Sequence, residues 1–216
     1  MNSRRLRPDR SASLTTILAA LALMLCLLAL LLPARADAVG EIKRLAALMD
    51  WKPGSVVADI GAGDGSYSFA AVQQVGPSGK VLATEIDSKK LEDLRAEVTK
   101  RNLQNRIVVE SAAAETNLPP ACCDAIFLRR VYHHLTKPAE FDASLLRSLK
   151  PGGRLAIIDF PARSGLGPVE GVPANRGGHG IPEKIVIEEL TAAGLQLEKS
   201  VDDWPHESYC VLFVKK

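Results

Sequence analysis

The residues best suited to chemistry gather first in one short stretch, Val56-Val57-Ala58-Asp59-Ile60-Gly61-Ala62-Gly63-Asp64-Gly65. Gly61, Gly63 and Gly65 stand at alternate positions, where the lack of a Cβ permits left-handed backbone and lets a ligand lie against the main chain. An apolar run precedes them and a helical pattern follows, so the N–H groups of a helix start are available to a polar ligand. The spacing discriminates among nucleotide-type ligands. A dinucleotide fingerprint, G-x-G-x-x-G, wants Gly or Ala where this chain has Ser66, and Asp59, two residues before the first glycine, would repel a pyrophosphate. The same aspartate favours an ammonium group. About twenty residues beyond the glycines the run Lys80 to Ile86 ends in Glu85-Ile86-Asp87. Glu85 is placed to accept hydrogen bonds from ribose hydroxyls, and Asp87 to cap the helix that follows.

A second group is Tyr132-His133-His134. Imidazole titrates near neutrality, so His133 or His134 is suited to take a proton from a hydroxyl or a protonated amine as it becomes a nucleophile. Tyr132 is a candidate wall of the same cleft, and His179, set between two glycines, is a further candidate base. Helix packing and an exposed loop histidine are the structural alternatives for these residues. The cysteines are Cys26, Cys122, Cys123 and Cys210, with no CxxC pair and no His/Cys spacing for tetrahedral zinc, so no metal is expected. In an exported chain a bond from Cys122 or Cys123 to Cys210 is conceivable.

The elements that must hold these groups alternate. A helix is expected over Val39 to Trp51, then strand Ser55 to Ile60, helix Ser66 to Val75, strand Lys80 to Ile86, helix Ser88 to Arg101 and strand Ile107 to Val109. Strand Asp124 to Leu128, helix Pro138 to Leu149 and strand Arg154 to Ile158 continue the pattern. Such alternation means βαβ units, hence a parallel sheet covered on both faces. The ending differs: helix Pro182 to Ala193 is followed by strands Leu195 to Ser200 and Ser208 to Val214, joined by Val201 to Glu207, which predicts a closing hairpin. Between Phe160 and Ile181 a Gly- and Pro-rich segment is longer than ordinary connections and reads as a lid on the substrate side.

With these motifs placed, the chain resembles a class I S-adenosylmethionine-dependent methyltransferase of the small generic methyltransferase-domain group, over roughly Ile42 to Val214. The resemblance rests on VVADIGAGDG, on the acidic strand end ATEID, on the stretch Cys123 to Leu135, and on the Leu149-Lys150-Pro151-Gly152-Gly153 turn. It implies an α/β, Rossmann-like doubly wound sheet of seven strands, mostly parallel with an antiparallel last strand. It implies S-adenosylmethionine as cofactor, with Asp59, Gly61, Ala62, Gly63 and Gly65 at the methionine portion, Glu85 and Ile86 at the ribose, and the loop before Leu118 at the adenine. Many relatives place an Asp near Ala114, where this chain reads Ser111-Ala112-Ala113-Ala114-Glu115; Glu115, one residue displaced, or a backbone N–H is expected to serve instead. The implied reaction is in-line methyl transfer to an acceptor. A non-catalytic binding or accessory protein on the same fold and, more remotely, an NAD(P)-dependent oxidoreductase are the alternatives.

The 216-residue chain has a net charge of +2, which the arginines of its first ten residues more than supply. The remainder shows no basic stripe of the kind a phosphate backbone requires, so a small-molecule acceptor is expected rather than nucleic acid. The oligomeric state is not legible. Arg4, Arg5, Arg7 and Arg10 precede an apolar run from Ile17 to Leu32, and Ala34 and Ala36 suit an A-x-A cleavage site. Residues 1–36 therefore read as a signal peptide leading to the periplasm or outside, with an uncleaved anchor over 14–32 as the competitor. Residues 37–216 are the expected methyltransferase domain.

Overall fold

The computed structural model describes residues 37–104, 106–111, 115–163 and 165–216. The expected signal or anchor and Ala114 lie outside them. Helix α1 covers 37–48, followed by β1 (Val56–Ile60), α2 (Ser66–Gln74), β2 (Lys80–Glu85), α3 (Ser88–Lys100) and β3 (Ile107–Ser111). Then come β4 (Cys123–Arg129), α4 (Pro138–Ser148), β5 (Leu149–Asp159), α5 (Glu183–Ala192), β6 (Gln196–Trp204) and β7 (Ser208–Val214). Among the described residues no helix is long and apolar enough to cross a membrane.

The seven strands form one sheet in the order β3-β2-β1-β4-β5-β7-β6, with β7 antiparallel to both neighbours and all other pairings parallel. The expected closing hairpin is present, but β6 runs on to Trp204 and the turn shrinks to three residues, because Val201 and Trp204 still pair with Cys210 and Ser208 across a register shift. At the other end, β5 begins at Leu149 rather than Arg154. Leu149 pairs with Cys123, the irregularity between Cys123 and Ala125 absorbs the Pro151-Gly152-Gly153 turn, and Gly152 and Gly153 exchange backbone bonds with Lys215.

Period-two alternation divides the core between the two faces. Val57 and Phe127 point to the face covered by α1, α2 and α3, with Ile42, Leu45, Val72 and Leu94. Ala58, Ile60, Ile126 and Leu128 point to the other, where α4 and α5 bring Phe141, Leu145, Val186 and Leu190. Strand order reverses between β1 and β4, so a crevice opens outside their carboxyl ends, the position at which open α/β sheets bind ligands.

The bond to Cys210 that an exported chain could carry does not form. Cys122 and Cys123 are bonded to each other, while Cys210 is buried and free. The reason is topological: Cys123 pairs with Leu149 and Cys210 with Ile158, at opposite ends of β5. Burial pushes the Cys210 thiol up to about 12, which makes it a small hydrophobe.

Candidate active site

The glycine loop closes the crevice at the tip of β1. Gly61, Gly63 and Gly65 all take positive φ, at 72°, 57° and 78°. Gly61 N–H and Ala62 N–H both donate to Thr84 O at 2.8 Å, folding the loop over the end of β2. The glycines are not equivalent. A Cβ on Gly61 would overlap Val131, and one on Gly65 would overlap Leu94 and Phe69, so these two are small because protein crowds them. Beyond Gly63 nothing lies within 4 Å. Its bare backbone faces open space.

Glu85 ties this loop to the next. One carboxylate oxygen accepts from Gly63 N–H at 2.8 Å, and the other from Ile86 N–H at 2.8 Å and Asp87 N–H at 3.0 Å. Asp87 in turn accepts from Lys89 N–H and Lys90 N–H, the expected N-cap of α3. Ile86, between them, is 71% exposed, and it lines one cavity together with Gly61, Thr84, Glu85, Val131 and His134. Thr84 Oγ1 is buried there without a protein partner.

Asp59 lies beneath the loop, turned onto α2, where Ser68 donates to it at 2.6 Å. Burial pushes its carboxyl up to about 7; the Ser68 bond opposes this, and the neighbouring charges of Asp64 and Glu85 add to it. Glu115, expected near the adenine, has its carboxylate on Arg147 of α4 at 2.6 Å, with both side chains about half exposed. Arg147 stands in the last turn of α4, so the carboxylate of Glu115 is turned onto that helix.

The other half of the site follows β4. After Arg130, itself at φ 56°, residues Tyr132–His134 form a short 3-10 turn. Asp159, the last residue of β5, receives this turn. Its carboxylate accepts from His133 N–H at 3.1 Å, meets His133 Nδ1 at 2.9 and 3.1 Å, and accepts from Phe160 N–H at 2.9 Å. His133 Nε2 is buried with no hydrogen-bond partner among the described residues. His134 and His179 approach the same ring, at centroid distances of 4.0 and 5.3 Å. Burial lowers the pKa of His134, and His133 and His179 lower it further.

Tyr132 is corrected. It points into the α4–α5 core, fully buried, and donates to Asp142 at 3.0 Å. In a 3-10 turn, successive side chains diverge by about a third of a circle, so His133 and Tyr132 cannot face the same cleft. Burial drives the Tyr132 phenol far above its ordinary range, helped by Asp142 and Glu189, and burial also pushes Asp142 up to about 7.

The Gly- and Pro-rich segment lies beside this turn and is tied at its base. Ile181 N–H donates to Phe160 O and Arg163 N–H to His179 O. Arg176, 1% exposed, pairs with Glu189 of α5 through two bonds of 2.9 Å and donates to Leu135 O and Tyr132 O. Sequence reasoning missed three residues here: Asp159, Arg176, and Glu41 of α1. Buried Glu41 accepts from Tyr67 Oη, Arg129 and Trp204 Nε1, joining α1, α2, β4 and β6. Burial alone would raise its pKa, but those donors, Arg129 first, bring it below the ordinary value. A lone acid on an otherwise apolar helix face, Glu41 beside Ile42 and one turn before Leu45, was the available signal.

Residues 58–157 match the methyltransferase domain family. A solved structure of an S-adenosylmethionine-dependent methyltransferase from Aquifex aeolicus superposes with a TM-score of 0.68 at 28% identity, covering 81% of this chain and 89% of that one. Residues 58–157 carry a methyltransferase domain. A ubiquinone/menaquinone biosynthesis C-methyltransferase from Francisella philomiragia is 33% identical over 110 residues, 50% of this chain and 44% of that protein. The 27-O-demethylrifamycin SV methyltransferase of Amycolatopsis mediterranei is 28% identical over 169 residues, 74% of this chain and 60% of its own length. The chain thus spans less than half of the first of these relatives.

The cofactor of this methyltransferase family is S-adenosylmethionine, and the crevice fits it on three counts. Gly63 offers bare backbone to open space, Thr84 Oγ1 is a buried polar atom without a partner, and Ile86 presents an exposed apolar face next to the acid Glu85.

Proposed function

We propose that this chain methylates a hydroxyl group of a small-molecule acceptor, with His133 receiving the acceptor's proton. The observation that carries this reading is the His133–Asp159 pair. An imidazole held at Nδ1 by a buried carboxylate is fixed in the tautomer whose Nε2 is basic, and that Nε2 has no hydrogen-bond partner among the described residues.

S-adenosylmethionine supplies a methyl group on a sulfonium and leaves as neutral S-adenosylhomocysteine, so a single acceptor proton needs a destination. The chain's own residues do the rest. Gly63 and the Glu85 collar hold the loop open to the cofactor, and Ile86 and Thr84 line its cavity. His133 takes the proton, Asp159 steadies the imidazolium that results, and the aromatic neighbours of His133, namely His134, Phe160 and His179, exclude water from it. Positioning a nucleophile in line is the main demand of such a transfer, and holding one proton acceptor at the carboxyl ends of β4 and β5 meets it.

Calorimetry on the full-length chain with S-adenosylmethionine and S-adenosylhomocysteine tests the reading; binding of neither would overturn it. A panel of hydroxyl-bearing small molecules incubated with methyl-labelled cofactor then identifies the acceptor, and His133→Asn is expected to cut label transfer at least a hundredfold while leaving cofactor affinity intact. The arginines and apolar run of residues 4–32 support a further reading, that the domain works on the non-cytoplasmic side of a membrane. Fractionation that recovers the chain from the cytoplasm would end it.

A further inference from the structure

Phe160, which caps β5 and is 7% exposed, is the centre of a cluster that the methyl-transfer reading does not use up. The Arg130 and Arg163 guanidinium groups lie 5.7 and 4.8 Å from its ring centroid, and the His133 and His179 rings 4.9 and 6.1 Å from it. Two arginines therefore stand around the same ring as the proton acceptor.

Their charges are not balanced alike. Arg129, one residue before Arg130, is neutralised by bidentate contact with buried Glu41. Arg163 pairs with Glu207, whose side chain is 85% exposed, a partner that solvent screens. Arg130 has no carboxylate among the described residues. Its one protein bond is Nη2 to the carbonyl of His206 at 3.3 Å, and its Nε is buried without a partner. Of five guanidinium donors, one is used.

The backbone says the same. Arg130 sits at φ 56°, uncommon for a residue with a side chain, and is held there by its N–H on Ile158 O at 2.7 Å. Such strain persists where the surroundings over-determine it, most often at ligand sites. It turns the chain between β4 and the histidine turn so that consecutive arginines diverge: Arg129 goes to Tyr67 and Glu41, Arg130 to Phe160. Burial, with Arg129 and Arg163 adding repulsion, lowers the pKa of Arg130 from its ordinary value. Among the described residues, Glu41 acts on Arg130 but is taken up by Arg129, Tyr67 and Trp204, and the oxygens of fully buried Asp159 are occupied by His133 and the Phe160 N–H, so neither acid pairs with Arg130.

Resting on the methyl-transfer reading above, we infer that the acceptor is an anionic hydroxy compound, whose carboxylate or phosphate is bound by Arg130, with Arg163 at the rim, while its hydroxyl reaches His133. A guanidinium takes either anion through paired N–H donors, and a neutral isostere would leave those donors unmatched. The Arg130 guanidinium and the His133 ring stand 5.7 and 4.9 Å from the same Phe160 centroid, so one small molecule that carries both an anion and a hydroxyl suits the pair.

The test titrates the full-length protein, with and without S-adenosylhomocysteine, using 4-hydroxybenzoate, 4-hydroxyphenyl phosphate and neutral 4-hydroxybenzamide, followed by calorimetry and by the histidine ring protons in NMR. At least one anion is expected to bind ten times more tightly than the amide and to move the His133 and His179 signals. Arg130→Gln is expected to lose tenfold or more of that affinity, Arg163→Gln a few-fold, and Arg130→Lys to recover part of it, with S-adenosylhomocysteine affinity and the thermal midpoint unchanged in each. Equal binding of amide and anions, anion binding by Arg130→Gln at the wild-type level, or exclusion of both anions from cofactor-loaded protein would overturn the inference. Failure of S-adenosylhomocysteine itself to bind would instead overturn the methyl-transfer reading, and the titrations without it would still report on Arg130.

Discussion

Ser68 donates its hydroxyl to Asp59 at 2.6 Å across the first strand–helix crossing, with both side chains removed from water. One hydroxyl is weak compensation for a buried carboxylate, which is why the acid is pushed up to about 7. A carboxyl whose folded pKa exceeds its unfolded value stabilises the fold fully below pH ~4 and loses that contribution as pH rises through ~7. The cofactor-free protein is therefore expected to melt several degrees lower at pH 8 than at pH 6. Asp142, also pushed up to about 7, acts in the same direction. Asp59→Asn should remove part of the fall and raise the midpoint at pH 8, while weakening S-adenosylhomocysteine binding at least tenfold. Wild-type midpoints equal at the two pH values would refute the assignment.

Gly63 and Gly65 have similar φ values but different surroundings, and alanine should separate them. At Gly65 the new methyl meets Leu94 and Phe69, so strain and overpacking add, for a cost of about 2–4 kcal/mol in stability. At Gly63 only the conformational term of about 1 kcal/mol applies, and the methyl points into open space. Gly63→Ala is expected to remain folded and to lose most of its cofactor affinity. Denaturant melts paired with calorimetry distinguish the two variants.

Glu85 accepts three backbone N–H groups from two loops, so its removal should be felt twice. Glu85→Ala leaves those donors to water or to nothing, at a cost of about 1–3 kcal/mol for each that stays buried. The loop that presents Gly63 loses its tether at the same time. Cofactor affinity is expected to fall more than tenfold, with faster amide exchange at Gly63, Ile86 and Asp87. Unchanged exchange there would show that the collar forms without the acid.

What could be read in advance follows from what is local. The glycine loop, the Asp87 cap and the order of strands and helices are written in spacing and in turn chemistry, which act over a few residues, and the structure has them. Strand ends at β5 and β6 were missed because pairing partners hold them in the sheet across irregular registers, which no window of sequence contains. Tyr132 was misplaced because adjacent residues in a 3-10 turn point apart, a distinction that the motif Tyr-His-His does not encode. Asp159 and Arg176 were missed for the same reason as Glu41: their partners lie 26, 13 and up to 163 residues away.

Arg176 has such distant partners, and its substitution tests whether the Gly- and Pro-rich segment depends on it. Its guanidinium, 1% exposed, meets Glu189 and the carbonyls of Tyr132 and Leu135, so one side chain holds the segment, α5 and the histidine turn together. Removing a single partner of a buried pair strands the other charge, typically at ~3–5 kcal/mol, whereas replacing both by apolar groups of similar volume costs far less. Arg176→Leu is therefore expected to destabilise the domain by about that amount and to open residues 160–181 to limited proteolysis. The double variant Arg176→Leu with Glu189→Leu should recover much of the stability but not the protease resistance, because the carbonyls of Tyr132 and Leu135 still lack their donor. If the double variant regains both, the ion pair alone matters and the clasp on the histidine turn does not.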